Sequence, residues 1–331
     1  MRLNSIIHKE NNQWLKIAVF FLLLLLASAF SFYIFNSYRE MSDLRVNSNY
    51  RGWFKWGSEK YPYNNIHKAI QAASRKKMDS VSIHLKNGEY VGSIEIPENI
   101  KIYGESREGV ILKNNGPSPV SMVTMKNNSL IANLTVIGGI TGILAENQAT
   151  IENCFIKEFK KIGIDAVSSE SEIIVRNAEI SSSGGKGLYA QRGRKMQIIG
   201  NDIHDNEEEG LDLRQFVSGE ISYNKIYNNG ESGIESIVGG SYLKISKNDI
   251  WGNKSNGITF QYYDVEKKEA EIIIEENKIT AGDSDHFAIS VANPSGEKNK
   301  PNNYWRNSIK IYSNNILEGG IRKRSLEITD K

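Results

Sequence analysis

At 331 residues the chain is long enough to bury a large core, and its formal net charge of +2 gives no basic excess of the kind that holds a nucleic acid. The single cysteine, Cys154, cannot close an internal disulfide, so packing and hydrogen bonds must hold any exported domain together. Cys154 itself reads as a small buried hydrophobe.

No charged residue lies between Lys16 and Arg39, and Ile17–Phe35 is apolar apart from Ser28 and Ser31. That length is enough to cross a hydrocarbon core of ~30 Å as a helix. Arg2, Lys9 and Lys16 precede it, which favours a single pass with the N-terminus inside and the bulk of the chain outside the cytoplasm, although Arg39, Arg45 and Arg51 weaken the bias. The expected order is a cytoplasmic tail over 1–16, a membrane anchor over 17–35 and a linker over 36–63. A cleavable signal, with its apolar core at Ile17–Leu26 and a small-residue site at Ala27-Ser28-Ala29, is the rival reading.

From Asn65 to Lys77, Ile66, Ala69, Ile70 and Ala73 follow the i, i+3, i+4, i+7 spacing of a short amphipathic helix. The period then changes to two, with strands expected over Val81–Leu85, Ile94–Ile96 and Ile100–Ile102 and a turn at Asn87-Gly88. A helix feeding a stack of short strands is the cap that a solenoid needs to hide the open end of its core.

The remainder repeats. Two aliphatic residues five apart with an asparagine between them recur as Ile131/Asn133/Val136, Ile151/Asn153/Ile156, Val175/Asn177/Ile180, Ile198/Asn201/Ile203, Ile221/Asn224/Ile226, Ile245/Asn248/Ile250, Ile274/Asn277/Ile279 and Ile311/Asn314/Ile316. A glycine with an aliphatic follows in each unit, as Gly142-Ile143, Gly163-Ile164, Gly187-Leu188, Gly210-Leu211, Gly233-Ile234, Gly257-Ile258 and Gly320-Ile321, with Ala288-Ile289 standing in once. A repeat of about 23 residues with three short strands and no helix predicts an all-β, right-handed parallel β-helix of about eight to ten coils, whose aliphatics stack at about 4.8 Å. The asparagines are expected in sharp turns, in left-handed backbone, each amide bonding its counterpart in the next coil, and so to be structural. Two later units are longer, by Tyr263–Ala270 and Asn293–Asn307, at the corner after the Gly-Ile strand, which makes either a wall for a binding face or slack surface loop. The solenoid is expected over 64–322 and a C-terminal tail over 323–331.

These repeats, together with the opening Ile66-His67-Lys68-Ala69-Ile70-Gln71-Ala72-Ala73 and the Lys86-Asn87-Gly88-Glu89-Tyr90 strand, resemble the pectate-lyase-like superfamily of right-handed β-helix proteins, which holds pectate lyases, polygalacturonases, alginate epimerases and NosD-type proteins. The resemblance implies a substrate groove on the Gly-Ile strand face and a polysaccharide or glycan partner. It does not carry one activity. The Asp-Asp and Gly-His-Gly strings of polygalacturonases are absent, as is the Arg-x-Pro of pectate lyases. Of the epimerase Gly-x-Asp-Pro-His-Asp, the segment Gly210-Leu211-Asp212-Leu213-Arg214-Gln215 keeps only the first Asp, and an arginine cannot shuttle a proton in place of histidine.

Alternation on that strand turns one column outward: Leu144, Asp165, Tyr189, Asp212, Glu235, Thr259 and Ser290. A second outward column reads Glu146, Val167, Gln191, Arg214, Ile237, Gln261 and Ala292. Asp212 and Glu235 fall on neighbouring coils, where like charges raise one carboxyl pKa or call for a cation between them. They are the candidate catalytic carboxylates and, with Ca2+ as the possible ion, the candidate metal ligands. His204, in the preceding turn region, is the candidate proton carrier. Tyr189, Arg214, Asp165, Gln191 and Gln261 are the candidate substrate-binding residues, with Tyr189 to stack on a sugar ring and Arg214 to grip a uronate carboxylate. Two functions follow: a membrane-anchored lyase, epimerase or hydrolase acting on acidic polysaccharide, or a non-catalytic carbohydrate-binding or scaffold β-helix of the cell envelope, for which the same residues are a solvated face.

Overall fold

The computed structural model describes residues 16–33, 41–76, 78–166, 172–191, 195–261, 269–292, 302–322 and 326–330. The chain forms two units, 1–42 and 43–331. In the first, Lys16–Tyr33 is one helix with its apolar side chains uncovered, long and apolar enough to cross a membrane. An anchor and a signal sequence both meet that description. Ile34 and Phe35, expected in the same span, lie outside the described residues.

In the second unit each coil gives one short strand to each of three parallel sheets, of 12, 10 and 9 strands, here called A, B and C. Stacking puts each residue beside its equivalent one coil away, so the aliphatic repeat becomes continuous apolar columns. Ile131, Ile151, Val175, Ile198, Ile221, Ile245, Ile274 and Ile311 line up in sheet A, all fully buried. Val136, Ile156, Ile180, Ile203, Ile226, Ile250 and Ile279 do so in sheet B. The glycine-aliphatic strands make sheet C, with Ile164, Leu188, Leu211, Ile234, Ile258 and Ile289 in one buried column.

The cap helix covers Ile66–Ser74, shorter than the apolar pattern predicts, and buries Ile66, Ala69, Ile70 and Ala73. Asn65 caps it, its side chain accepting from the Lys68 amide. Segments expected outside the solenoid also join it: Asp43–Val46 pairs with Val81–Leu85, and Ile328–Thr329 pairs with Ile311-Tyr312. Both continue sheet A at its ends, so the expected linker and tail each supply an edge strand. Within the later insertion the chain forms a helix over Asn302–Ser308, with Trp305 buried, rather than open loop. Residues 262–268 and 293–301 of the two insertions lie outside the described residues, as does Val167.

The asparagines divide into two roles that the repeat pattern merges. Asn133, Asn153 and Asn177 do take left-handed backbone, with φ of 58°, 49° and 52°. From the next coil on, that conformation belongs to the preceding residue, at Gly200, Tyr223, Lys247 and Glu276. The asparagine one place later becomes a buried ladder: Asn201 donates to Asn224, Asn224 to Asn248, Asn248 to Asn277 and Asn277 to Asn315, at 2.9–3.0 Å. The ladder thus ends on Asn315, not Asn314. The shift carries into the last strand of sheet B, where Leu317 rather than Ile316 stands opposite Ile279, and Ile316 is exposed.

A second ladder, Asn206 to Asn229 to Asn253 at 2.9 Å, runs along the turn into sheet C. It leaves no room for a side chain at Gly187, Gly210 and Gly233. A Cβ on Gly210 would stand 2.7 Å from the Gly233 carbonyl and 2.9 Å from Asn229 Nδ2.

Asn224 accepts from the Asn201 backbone amide and donates to the Ile198 carbonyl and to Asn248. Asn224→Ala leaves buried backbone groups unpaired, at about 1–3 kcal/mol each. Urea unfolding should show a loss of about 2–5 kcal/mol, against little change for an alanine at exposed Tyr223.

Candidate functional site

Sheet C brings the expected outer column together in register. Asp165 pairs with Tyr189, Tyr189 with Asp212, Asp212 with Glu235, Glu235 with Thr259 and Thr259 with Ser290. Gln191 and Arg214 extend two of these strands, and Gln261 lies on the strand carrying Thr259. The column is not a solvated row. Asp212 is 0% exposed and Glu235 9%.

Asp212 is buried because two cations converge on one of its oxygens. Its Oδ2 is 2.7 Å from Lys186 Nζ and 2.8 Å from Arg214 Nη2. Lys186 also lies 2.7 Å from Glu209 Oε2 and 3.1 Å from Glu208 Oε2. Arg214 extends its other amino group to 3.9 Å from Glu235 Oε1, with its guanidinium 5.9 Å from the Tyr189 ring centre. The Tyr189 hydroxyl donates to Gln191 Oε1 at 3.2 Å. Asp212 Oδ1, Asp165 Oδ1 and Gln261 Oε1 are buried and find no hydrogen-bond partner among the described residues.

Carboxylates outnumber cations here, and burial sharpens the effect. Glu235 is pushed up to about 7, first by burial and then by the negative charges of Glu209 and Asp212, with Arg214 opposing. Burial raises Asp165 to about 6. Burial also lifts Asp212 above the ordinary range, despite Lys186 and Arg214. Burial acts upward on Glu209 too, yet the Lys186 ammonium outweighs it and holds that carboxyl low. Its neighbour Glu231 is raised, first by burial and then by a hydrogen bond to Glu209. Lys186, whose charge burial alone would disfavour, is held charged by its hydrogen bonds to Asp212 and Glu209. The site therefore sets a nearly buried carboxyl with a raised pKa, Glu235, beside the ion network of Asp212, Lys186 and Arg214.

Glu208, Glu209 and Glu231 are absent from the strand reading because they lie in the turns entering sheet C, where alternation no longer says which way a side chain points, and Lys186 because it opens its strand, ahead of the glycine from which the alternation runs. A charged residue directly before the glycine in successive units, Lys186 before Gly187 and Glu209 before Gly210, is the signal that marks them.

His204 is not part of this group. It belongs to sheet B, where its ring stacks 4.7 Å above Tyr227, itself 4.4 Å from Trp251, and it faces Asp205 and Glu179. The donor set does not fit a calcium ion either. That ion wants six to eight oxygens, whereas Asp212 turns one oxygen to two cations. Among the described residues no group of three or more His, Cys, Asp or Glu side chains is arranged to hold a metal.

Removing Lys186 takes the cation from buried Glu209 and leaves buried Asp212 with Arg214 alone. Lys186→Met should cost about 3–5 kcal/mol in urea unfolding, and adding Asp212→Asn should return part of that loss.

The family described as the right handed β-helix region matches residues 108–264 and 174–321. No curated protein sequence matches the chain. Among solved structures, pectate lyase Pel9A superposes with a TM-score of 0.55 at 15% identity, over 84% of this chain and 79% of that one. Dettilon tailspike protein superposes with a TM-score of 0.55 at 12% identity, over 86% and 68%. Full-length tailspike protein 2 of an Escherichia coli O157:H7 bacteriophage gives 0.58 at 14% identity, over 75% of this chain but 37% of that one. At such identities the likeness is one of fold.

Proposed function

The chain belongs to the right-handed β-helix family, and from that premise we propose that it processes polysaccharide on the outer face of sheet C, with Glu235 as the proton donor. The carrying observation is the pair of neighbouring carboxyls at Asp212 and Glu235. One is fully buried against Lys186 and Arg214; the other is nine-tenths buried, 3.9 Å from Arg214, with its carboxyl pushed up to about 7. A general acid needs a pKa near the working pH, and Glu235 has it. That a pectate lyase shares the fold supports a glycan as the substrate class.

In this reading Asp212 does not attack substrate. It positions Arg214, which in turn fixes the carboxyl of Glu235. Since Arg214 is already committed to Asp212, and carboxylates exceed cations around it, the glycan is held by hydrogen bonds from Gln191, Gln261 and Tyr189 rather than by a grip on an acidic sugar. The N-terminal helix carries the working face outside the cytoplasm, as an anchor. A non-catalytic, glycan-binding role is the second reading, favoured by the burial of Asp212 in ion pairs that serve structure as well as chemistry.

Assayed for new reducing ends and for ultraviolet absorbance on a polysaccharide panel, Glu235→Gln should lose turnover by about a hundredfold or more while still binding. Parent activity should fall as pH rises through about 7, as Glu235 loses its proton. Undiminished turnover in Glu235→Gln would remove the proposed acid, and binding without turnover in the parent would select the second reading.

Stability carries the same signature. Glu235 binds its proton more tightly folded than unfolded, so its contribution is full below its ordinary 4.5 and is lost as pH rises through about 7. Asp165 acts in the same direction, between 3.8 and about 6. The thermal midpoint should therefore fall across this window, and Glu235→Gln should flatten the upper part of the fall.

A further inference from the structure

The segment from Tyr50 to Tyr61, just before the cap helix, carries aromatic residues at Tyr50, Trp53, Phe54, Trp56 and Tyr61 and cations at Arg51, Lys55 and Lys60, against one carboxylate, Glu59. It is a built loop. The Trp56 and Gly57 amides both donate to the Tyr61 carbonyl, the Arg45 amide donates to the Gly57 carbonyl, and the Tyr61 amide donates to Ser58 Oγ. Phe54, Trp56 and Tyr61 pack on one another with ring centres 4.8–5.9 Å apart. Lys60 lies 5.3 Å from the Tyr61 ring centre. Glu59 is drawn off to Arg45 at 3.0 Å, leaving the three loop cations without a carboxylate of their own segment.

What this frame presents is Trp53, 95% exposed, beside Phe54, 59% exposed. A soluble surface rarely shows a tryptophan so bare, and bare aromatics beside cations that have no carboxylate partner among the described residues, Arg51 bonding only the Ser48 and Tyr50 carbonyls, suit the headgroup region of a bilayer. We propose that the loop over Tyr50–Tyr61 seats on an anionic lipid surface, with Trp53 and Phe54 entering the headgroup region and Arg51, Lys55 and Lys60 facing lipid phosphates. A neutral sugar would give the cations no role, which is why a lipid is the favoured occupant. Only residues 34–42 separate the apolar helix ending at Tyr33 from the strand that begins at Asp43, a stretch of up to about 35 Å, so a bilayer crossed by that helix would lie within that chain length of the strand to which the loop is bonded. Contact through the loop would add a second, charge-dependent attachment to any provided by that helix.

The test uses the full chain in phosphatidylcholine vesicles with and without phosphatidylglycerol. Cys154 is fully buried, its thiol pushed up to about 12, so a nitroxide attached at Glu59→Cys labels the loop alone. Glu318→Cys, exposed on the last strand of sheet B, is the reference. In vesicles containing phosphatidylglycerol, the label at 59 should lose access to a water-soluble nickel relaxer by several-fold and gain access to oxygen, while the label at 318 should not. The protection should weaken at high salt and vanish when Trp53→Ala and Phe54→Ala are added, with the thermal midpoint unchanged. Equal nickel access at 59 and 318 in both vesicles would overturn the proposal. So would protection of 59 by a soluble neutral polysaccharide and not by lipid, which would make the loop a sugar platform.

Discussion

Stacking one coil on the next at about 4.8 Å places every residue against its own equivalent, and most of this structure follows from that repetition. An aliphatic residue facing inward meets aliphatics above and below, so one favourable choice is repeated along the whole core. A buried polar residue must be partnered, and the neighbour the repeat always supplies is the residue at the same position one coil away. Asparagine meets the constraint with an amide that donates to one neighbour and accepts from the other. The ladders from Asn201 to Asn315 and from Asn206 to Asn253 are therefore continuous runs rather than isolated contacts.

A carboxylate cannot do the same, since identical charges stacked at that spacing repel. Asp212 and Glu235 on adjacent coils meet the conflict differently. Asp212 recruits Lys186 from the start of the preceding coil's strand and Arg214 from the end of its own. Glu235, left with one distant guanidinium amino group, has its carboxyl pushed up to about 7 instead, which favours the protonated form. The chemistry proposed for sheet C is thus a product of the stacking that builds the core: a solenoid that places like charges in register must neutralise them, and a retained proton is one way.

The ends of the solenoid obey the same rule from the opposite side. The first and last coils lack one neighbour, and each is covered by chain that carries no repeat. The cap helix and Asp43–Val46 close one end; Asn302–Ser308 and Ile328–Thr329 lie against the last coils. The aromatic loop over Tyr50–Tyr61 is bonded to Asp43–Val46 and departs from the repeat entirely, which frees its side chains to face something other than the next coil.

The residue pattern alone determined the coil, its three strands, the inward aliphatic columns and the outward column from Asp165 to Glu235, because each depends only on spacing along the chain. Folding decided what depends on the third dimension. Which residue of each turn takes left-handed backbone changed between Asn177 and Gly200, and the last coil slipped by one, because ladder geometry rather than residue type set the register. His204, near Asp212 in sequence, went to another sheet, since a turn of a few residues carries the chain around a corner. Lys186, more than a coil away in sequence, became the closest partner of Asp212, because stacking lays the preceding coil's strand, which Lys186 opens, beside the strand of Asp212 and the long lysine side chain covers the remaining offset.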